Sequence, residues 1–367
     1  MRAAVFHEPG VMVLEDRPIP EVGRGDVLVR MRAASVCGTD LRISRHGHFK
    51  IAPGEHRVQG HEMAGEIVAI GDDVTGHAVG DRVAVPPNVG CGRCAFCRRG
   101  LNNMCPDYEA FGVSLDGGFQ EYLLVPEIAV QRGNVFSLPE TVGYAEAALV
   151  EPFSCCLRGV RSVGVGPDDD VLVVGAGPIG AFTVLLARLA GARRILVANR
   201  SRGRLERMTA FGADTLIDAG GRDLVAAVLA ETDGRGVDVA ITAASSPQVQ
   251  ADAVQALATH GRLNFFAGLS GTDGPATVPI DTNRVHYKGL TLTGTTGSSN
   301  DDYAAALAIV GEGRVDLSGL LTRTFDLDDI AEAFAYASSG AGMKAGISLG
   351  SDTFDRPTAR EQAGALA

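Results

Sequence analysis

The sequence has no tryptophan, and aromatic residues make up only 5% of its 367 residues. Lysine and arginine number 33 against 44 aspartate and glutamate, which gives a formal net charge of −11. This excess of negative charge argues against a nucleic-acid surface, so any basic cluster must serve a local purpose. No apolar run approaches the roughly 18 residues of a membrane span, and the amino terminus has no long apolar segment. We therefore expect a cytoplasmic protein that binds neither nucleic acid nor membrane.

Seven cysteines without an export signal argue against a disulfide framework. Four of them follow the pattern C-x2-C-x2-C-x7-C, as Cys91, Cys94, Cys97 and Cys105. Four thiolates this close in sequence can surround a soft cation, and zinc fits best; reduced free thiols and an iron–sulfur cluster are the alternatives. Because four cysteines fill every position of tetrahedral zinc, the pattern predicts a structural site rather than a catalytic one.

Residues 1–150 contain short β-type runs that are interrupted by glycine and proline, which predicts a compact all-β or barrel-like unit. From residue 171 onward, apolar strands such as VLVV and RRILVAN alternate with helical segments, which predicts a doubly wound parallel sheet. The expected fold class is therefore α/β. The predicted divisions are a first domain over 1–152, a dinucleotide-binding domain over 153–296, a return to the first domain over 297–350, and a tail over 351–367.

The sequence GAGPIG follows the first of these strands and opens a helix. Gly175, Gly177 and Gly180 match the dinucleotide-binding fingerprint, with Pro178 and Ile179 between them. In this setting the cofactor pyrophosphate is expected at the helix N-terminus.

A second group of residues is dispersed along the chain. Cys37 lies in SVCGTD, His61 and Glu62 lie in GHE, and Glu151 precedes a proline. A thiolate, an imidazole and a carboxylate that leave one position open make a catalytic zinc site. Each residue alone is more often part of a core, and the complete run over 60–74 favours the metal site.

The strand RRILVAN ends at Asn199, where dehydrogenases that use NAD commonly carry an acid for the ribose hydroxyls. Asparagine removes the repulsion that such an acid exerts on a 2′-phosphate, and Arg200 follows directly as a phosphate partner. Ser201 and Arg204 offer further donors, whereas Arg202 is expected on the solvated face of a helix. The sequence therefore predicts a preference for NADP(H) over NAD(H).

Together these motifs resemble the zinc-dependent medium-chain dehydrogenase/reductase (alcohol dehydrogenase) family, and in particular its sorbitol and threonine dehydrogenase-like branch. The resemblance spans roughly residues 1–350. It implies a GroES-like, mostly-β catalytic domain, a Rossmann domain and an active site in the cleft between them. It also implies two zinc ions per chain and a homotetramer or homodimer, in which the strand over 289–295 pairs between subunits.

The same resemblance implies roles for individual residues. Cys37, His61 and Glu62 correspond to ligands of the catalytic zinc, and Glu151 to a further ligand or a neighbour bridged by water. Thr39 corresponds to the hydroxyl that relays the substrate proton. Lys344 corresponds to a basic residue that contacts the cofactor pyrophosphate in relatives.

Two positions depart from the pattern of the family. Relatives often have a histidine five residues after the ligand cysteine to complete the proton relay, and this chain has Arg42, which cannot act as a base. Sorbitol dehydrogenases carry an Arg-Tyr pair where this chain has Leu292 and Thr293. The second departure argues against sorbitol itself as the substrate.

The function expected from the sequence is a zinc-dependent oxidoreductase that transfers a hydride between NADP(H) and a secondary alcohol or ketone, such as a polyol, sugar or cyclitol. One alternative is an NAD-dependent, threonine-type dehydrogenase that acts on an amino alcohol. Another is a non-catalytic protein that binds the cofactor, although the joint presence of Cys37, Thr39, His61 and Glu62 argues against it.

Overall fold

The computed structural model describes residues 1–269 and 276–350. The described chain forms two units, one of which contains Met1–Glu151 and the residues from Ser298 onward, and the other Pro152–Gly297. The chain therefore leaves the first unit once and returns to it. The divisions predicted from the sequence lie after residues 152 and 296, and the predicted tail over 351–367 lies outside the described residues.

The strands alternate with helices throughout the second unit and dominate the first. In chain order the strands are β1 (Arg2–Glu8), β2 (Val11–Asp16), β3 (Val27–Ser35), β4 (Arg57–Val58), β5 (Glu62–Ile70), β6 (Arg82–Ala84), β7 (Asn88–Val89), β8 (Glu109–Ala110), β9 (Tyr122–Val125), β10 (Phe136–Ser137), β11 (Asp170–Val174), β12 (Arg194–Asn199), β13 (Thr215–Asp218), β14 (Val237–Thr242), β15 (Leu257–Phe265), β16 (Thr291–Gly294), β17 (Leu321–Asp326) and β18 (Lys344–Ser348).

The helices are short in the first part of the chain and longer from residue 150 onward. They are α1 (Gly38–His46), α2 (Glu127–Gln131), α3 (Tyr144–Ala147), α4 (Val150–Ser162), α5 (Pro178–Leu189), α6 (Arg202–Glu206), α7 (Leu224–Glu231), α8 (Pro247–Gln255), α9 (Thr282–Lys288), α10 (Asn300–Gly311) and α11 (Ile330–Ser339). In the described part of the chain, none is long and apolar enough to cross a bilayer.

The first unit is built on a seven-stranded sheet with the order β10-β6-β5-β3-β18-β17, and β9 also pairs with β3. A three-stranded sheet (β2-β1-β4) and the β7–β8 pair complete it. The long strand β3 pairs antiparallel with both β5 and β18, so residues from the start and the end of the chain meet in the middle of this sheet. Alternating apolar residues of β3 and β5, such as Val29, Met31 and Ile67, are buried in its core.

The second unit contains a six-stranded parallel sheet with the order β13-β12-β11-β14-β15-β16. Numbered within the unit, this is the 3-2-1-4-5-6 order of a dinucleotide-binding Rossmann fold. Its central strand β11 is buried along its whole length, as expected for a parallel strand that is covered on both faces. The predicted α/β class, with a mostly-β first domain and a doubly wound second domain, is confirmed.

Candidate metal centres and dinucleotide site

The helix α1 positions the first group of predicted ligands. Cys37 is its N-cap, and the backbone N–H of Cys37 donates to Asp40 Oδ2 at 2.9 Å, so Asp40 closes a capping box in the first turn. The other oxygen of Asp40 lies 3.1 Å from Nδ1 of His61. Asp40 is fully buried and orients both Cys37 and His61. Because Nδ1 of His61 faces Asp40, Nε2 is the nitrogen that is left for a metal.

Glu62 is held by the strands that flank it. In the antiparallel register of β3 and β5, Ser35 lies opposite Glu62, and the Ser35 hydroxyl donates to Oε2 of Glu62. The Nζ of Lys344, at the start of β18, donates to the same oxygen and to the carbonyl of Val36, the latter at 2.9 Å. Glu62 and Ser35 are fully buried and Lys344 is 4% exposed, so this is a buried ion pair.

The structure brings Cys37, His61 and Glu62 together, with one ligand atom of each within 4.8 Å of the others. Oε1 of Glu62 is buried and has no hydrogen-bond partner among the described residues. A buried carboxylate oxygen without a partner is unfavourable, and a cation beside it removes that cost. Sulfur, nitrogen and carboxylate donors are the set that zinc prefers, so these residues fit a zinc ion.

Two basic groups of this site have raised pKa values. Burial by itself lowers the pKa of His61, but the charges of Asp40 and Cys37 outweigh it and raise that pKa well above its ordinary value. Burial likewise opposes the charged form of Lys344, and the charge of Glu62 followed by that of Cys37 raises its pKa on balance. The site is therefore electronegative, as a cation-binding site should be.

The other predicted residues of the catalytic centre, Thr39 and Glu151, lie in the first turns of α1 and α4. Thr39 is half-buried in the first turn of α1, and Arg42 is exposed on the same helix. Glu151 is buried in the first turn of α4 and is not part of the Cys37 group among the described residues. Burial and, secondarily, the charge of Glu151 raise the pKa of the buried Tyr303, so these two side chains are neighbours.

The four cysteines of the second motif form a compact group in the first unit, which we call the cysteine lobe (residues 91–105). Their sulfur atoms all lie within 4.8 Å of one another; the four residues are Cys91, Cys94, Cys97 and Cys105. The backbone N–H of Cys91 donates to the sulfur of Cys105, and that of Cys97 to the sulfur of Cys94, each at 3.4 Å. Backbone donors that point at sulfur atoms stabilise thiolates, and four gathered thiolates fit a structural zinc ion.

The thiols of the cysteine lobe differ in acidity because their surroundings differ. Hydrogen bonds from the backbone of Arg93 and Cys94 lower the pKa of Cys91 to about 6. Burial is the main cause that raises the pKa of Cys97 to about 12, and it also raises that of Cys105. Of these three thiols, Cys91 is the one most readily available as a thiolate to a metal.

The glycines of the dinucleotide motif have the geometry that the fingerprint requires. Gly175, directly after β11, has a φ of 123°, which favours glycine. A Cβ on Gly180 would lie 1.9 Å from the carbonyl oxygen of Gly175, so only glycine allows α5 to pack this closely. Gly177 is the N-cap of α5, Pro178 begins the helix, and the space beside Gly177 is open within 4 Å. This leaves a helix N-terminus accessible to a phosphate, with Ile179 in its first turn.

Asn199 ends β12 beside this glycine turn. Its Oδ1 accepts from the backbone N–H of Ala176 at 3.3 Å, and its Nδ2 donates to the carbonyl of Ser201 at 3.0 Å. The amide therefore joins the glycine turn to the start of α6. An aspartate at this position could make the first of these hydrogen bonds but not the second.

The arginines after Asn199 are in different situations. Arg200 is exposed and makes no hydrogen bond or ion pair with any residue that the structure describes. Arg202 pairs with Glu206 one turn later on α6, at 3.0 Å, as expected for a solvated helix face. Arg204 is half-buried, and Ser201 is the N-cap of α6. Of these residues, Arg200 is the one with a guanidinium available for an anion.

Two residues of the metal centre were not identified from the sequence. Asp40 could have been found, because its position three residues after Cys37 matches a capping box. Ser35 has no such signal, since only the register of β3 and β5 brings it to Glu62. Lys344 was expected at the cofactor pyrophosphate, and the structure places its Nζ on Glu62 instead. A contact with the pyrophosphate stays a prediction.

Comparison with known protein families gives two matches. Residues 23–135 match the alcohol dehydrogenase GroES-like domain, and residues 178–312 match the zinc-binding dehydrogenase domain. Among curated proteins, sorbitol dehydrogenase of Bacillus subtilis is 32% identical over 92% of this chain and 93% of its own length. L-threonine 3-dehydrogenase of Aeromonas salmonicida is 32% identical over 90% of this chain and 94% of its own length.

Solved structures show the same fold. A zinc-binding dehydrogenase described as putative, from Sinorhizobium meliloti and bound to NADP, has a TM-score of 0.86 at 29% identity and covers 95% of this chain and 98% of its own. An alcohol dehydrogenase from Escherichia coli in complex with NADH also has a TM-score of 0.86, at 30% identity, and covers 95% of this chain and 99% of its own. Relatives of one architecture thus bind either nicotinamide cofactor.

Proposed function

The chain belongs to the zinc-dependent medium-chain alcohol dehydrogenase family, whose members act on CH–OH groups, and on that premise we propose that it interconverts a secondary alcohol and a ketone with zinc and NADP(H). The substrate we propose is a polyol, sugar or cyclitol. The observation that carries this proposal is the buried group of Cys37, His61 and Glu62, in which one carboxylate oxygen has no partner among the described residues.

In this proposal Cys37, His61 and Glu62 hold the catalytic zinc, and Glu151 acts as a further ligand or as a neighbour through water. A bound zinc ion supplies a Lewis acid that stabilises the alkoxide form of the alcohol. Asp40 keeps Cys37 and His61 in place, and Lys344 with Ser35 fixes one oxygen of Glu62. Preorganised ligands of this kind would lower the cost of binding the metal.

Thr39 is proposed to take the proton of the substrate hydroxyl. It is half-buried in the first turn of α1, two residues from Cys37. Arg42 remains protonated and cannot accept that proton, so the proton must leave through water or another group. His46, at the other end of α1, is a candidate for that group.

The proposed cofactor site consists of the glycine turn, with Gly175, Gly177 and Gly180, and the end of β12. The glycine turn takes the pyrophosphate at the N-terminus of α5. Asn199 carries no charge, and the Arg200 guanidinium has no hydrogen-bond or ion-pair partner within the described ranges, so the pair supports binding of a 2′-phosphate. Ser201 and Arg204 are proposed as additional donors.

The test of the cofactor proposal is the ratio of kcat/KM for NADP+ to kcat/KM for NAD+. We expect a clear preference for NADP+. The double change Asn199→Asp with Arg200→Leu should lower this ratio by a factor that corresponds to about 1.5–3 kcal/mol. This is the typical contribution of a hydrogen bond to a charged group. Equal values in the unaltered protein, or a preference for NAD+, would contradict the proposal.

The substrate is tested by a screen of polyols, aminocyclitols and ketoses with both cofactors, in which sorbitol and L-threonine are included. Sorbitol is expected to be poor, because Leu292 and Thr293 on β16 have no guanidinium or phenol for polyol hydroxyls. An amino alcohol is the second candidate, and it is favoured by the threonine dehydrogenase relative. Selective turnover of L-threonine with NAD+ would replace our proposal by that one.

We also propose that the protein forms a homodimer or homotetramer. The strand β16 lies at the edge of the six-stranded sheet, and its burial pattern shows that it is largely accessible in the single chain. An edge strand has unpaired backbone groups that can pair with a second copy. Sedimentation velocity measures the assembly, and a monomer at micromolar concentration would exclude this part of the proposal.

A further inference from the structure

The segment after β13, residues 219–222, runs beside the proposed 2′-phosphate partner; we call it the β13 loop. Strands β12 and β13 are parallel neighbours, and Asn199 lies opposite Asp218 at their carboxyl ends. The backbone N–H of Ala219 continues this pairing and donates to the carbonyl of Asn199 at 3.0 Å. The loop therefore leaves the sheet directly beside Arg200.

Gly220 brings the β13 loop unusually close to Arg200. A Cβ at this position would lie 2.9 Å from the carbonyl oxygen of Arg200, which is closer than real Cβ contacts. The absence of a side chain thus allows the two backbones to touch. Arg222 follows two residues later on the same loop, and its side chain is exposed.

Two acids flank the β13 loop, and each accepts a hydrogen bond from the backbone. Oδ1 of Asp218 accepts from the backbone N–H of Gly220 at 2.9 Å, and Oδ1 of Asp223 accepts from that of Ala226 at 2.9 Å, where Asp223 caps α7. Both acids therefore have backbone partners. Arg222, like Arg200, makes no hydrogen bond or ion pair with any described residue.

Other arginines of the second unit form hydrogen bonds with buried aspartates. Arg193 and Arg235 both bond to the buried Asp170, and Arg262 bonds to the carboxylate of Asp169. Those side chains stabilise the amino-terminal edge of the sheet. At the opposite edge, where cofactors bind in this fold, the guanidinium groups of Arg200 and Arg222 have no such partner in the part of the chain that the structure describes.

We propose that Arg222 is a second determinant of cofactor specificity and that it contacts the 2′-phosphate from the side opposite Arg200. This inference rests on the proposed preference for NADP(H). The β13 loop forms one wall of the phosphate subsite, Gly220 permits its close approach, and Arg200 and Arg222 share the charge of the phosphate. Two guanidinium groups match the dianionic 2′-phosphate better than one.

The experiment compares Arg222→Leu, Arg222→Lys and the matched control Arg202→Leu, which removes an exposed arginine that already pairs with Glu206. Dissociation constants for NADP+ and NAD+ are measured by titration calorimetry on the full chain, and kcat/KM is measured with both cofactors. For Arg222→Leu we expect affinity for NADP+ to fall by about tenfold or more and affinity for NAD+ to change by less than about twofold.

Arg222→Lys should restore part of the NADP+ affinity, because lysine keeps the charge but loses the two-pronged hydrogen bonding. Arg202→Leu should leave both affinities within about twofold of the original, as expected for a surface ion pair. Equal losses for NADP+ and NAD+ in Arg222→Leu would indicate a structural role and overturn the inference.

The outcomes also separate this inference from the cofactor proposal. One outcome is that the unaltered protein prefers NADP+ while Arg222→Leu leaves the ratio of its affinities for NADP+ and NAD+ unchanged. That result would make the inference wrong and leave the cofactor proposal standing. If the unaltered protein prefers NAD+, both are wrong.

Discussion

At the scale of single residues, the metal centre depends on side chains that do not themselves need to bind a metal. Asp40 accepts from the backbone of Cys37 and faces His61, and it is fully buried. Lys344 compensates the negative charge of Glu62 in the same interior. Partners of this kind set the orientation and charge of ligands, and their loss commonly weakens metal binding.

We predict that Asp40→Asn lowers zinc affinity and activity by about 10-fold to 100-fold, because the neutral amide cannot accept from Cys37 and His61 as a carboxylate does. Zinc affinity is measured by competition with a chromogenic chelator, and activity by kcat/KM. The control is Asp26→Asn, which makes the same chemical change at a half-buried loop carboxylate that accepts from the backbone N–H groups of Gly23 and Glu127. Unchanged zinc affinity in Asp40→Asn would show that Asp40 does not support the site.

Lys344→Gln distinguishes the two roles considered for Lys344. If the contact with Glu62 is its main role, removal of one partner of a buried ion pair should lower the free energy of unfolding by about 3–5 kcal/mol. Cofactor affinity of the folded protein should then change little. Urea unfolding and calorimetric titration of NADP+ measure the two quantities. A large loss of cofactor affinity with unchanged stability would instead support the pyrophosphate contact.

At the scale of elements, the cysteine lobe is joined to the first residue of α10 by a pair of asparagines. Asn102 Nδ2 donates to Asn300 Oδ1 at 3.1 Å, and the backbone N–H of Asn300 donates back to Asn102 Oδ1 at 2.9 Å. Asn102 also donates to the carbonyl of Asn88 on β7 at 2.7 Å. The returning part of the chain and the cysteine lobe therefore hold each other in place.

We predict that Asn102→Ala destabilises the cysteine lobe by about 1–3 kcal/mol, because it removes the partner of both the side-chain oxygen and the backbone N–H of the half-buried Asn300. A chelator should then remove zinc from the lobe faster, and a protease should cleave within residues 91–105 more readily. Asn283→Ala is the control, since Asn283 is an exposed asparagine in the first turn of α9. Equal zinc release in the two variants would contradict this prediction.

How far an element could be predicted depends on how local its determinants are. The glycine turn and the cysteine lobe were identifiable because all their residues lie within 6 and 15 positions of sequence. The contacts of Glu62 could not be predicted, because Ser35 and Lys344 are 27 and 282 residues away from it in sequence. Only the pairing of β3 with both β5 and β18 brings them together.

At the scale of the whole molecule, acidic residues outnumber basic ones by 44 to 33, so we consider how the free energy of unfolding depends on pH. Asp238, on β14, accepts from Arg235 and from the backbone N–H of Asp170 at 2.8 Å. Burial raises the pKa of Asp238, but the hydrogen bonds from Arg235 and Asp170 and the nearby positive charges lower it on balance. Because the pKa in the folded state is depressed, its contribution to stability is present above the unfolded value of about 3.9 and is lost as pH falls through the folded value.

We predict that Asp238→Asn lowers the free energy of unfolding by about 1–3 kcal/mol at pH 5–7 and that this difference shrinks below about pH 4. Urea unfolding at a series of pH values measures it. Glu206→Gln is the control, because Glu206 pairs with Arg202 on the surface and should contribute less than about 1 kcal/mol. A difference for Asp238→Asn that persists unchanged down to pH 3 would contradict the assigned cause.

The sequence by itself determined the family, the two-part α/β architecture and the local motifs, since strand alternation, a glycine turn and a cysteine loop are encoded by neighbouring residues. The tertiary structure alone decided which side chains complete them. Asp40 and Ser35 join the metal centre, Lys344 pairs with Glu62, and the β13 loop lies against Arg200. These contacts follow from strand order and register, and such long-range pairing depends on the packing of the entire sheet rather than on any short stretch of sequence.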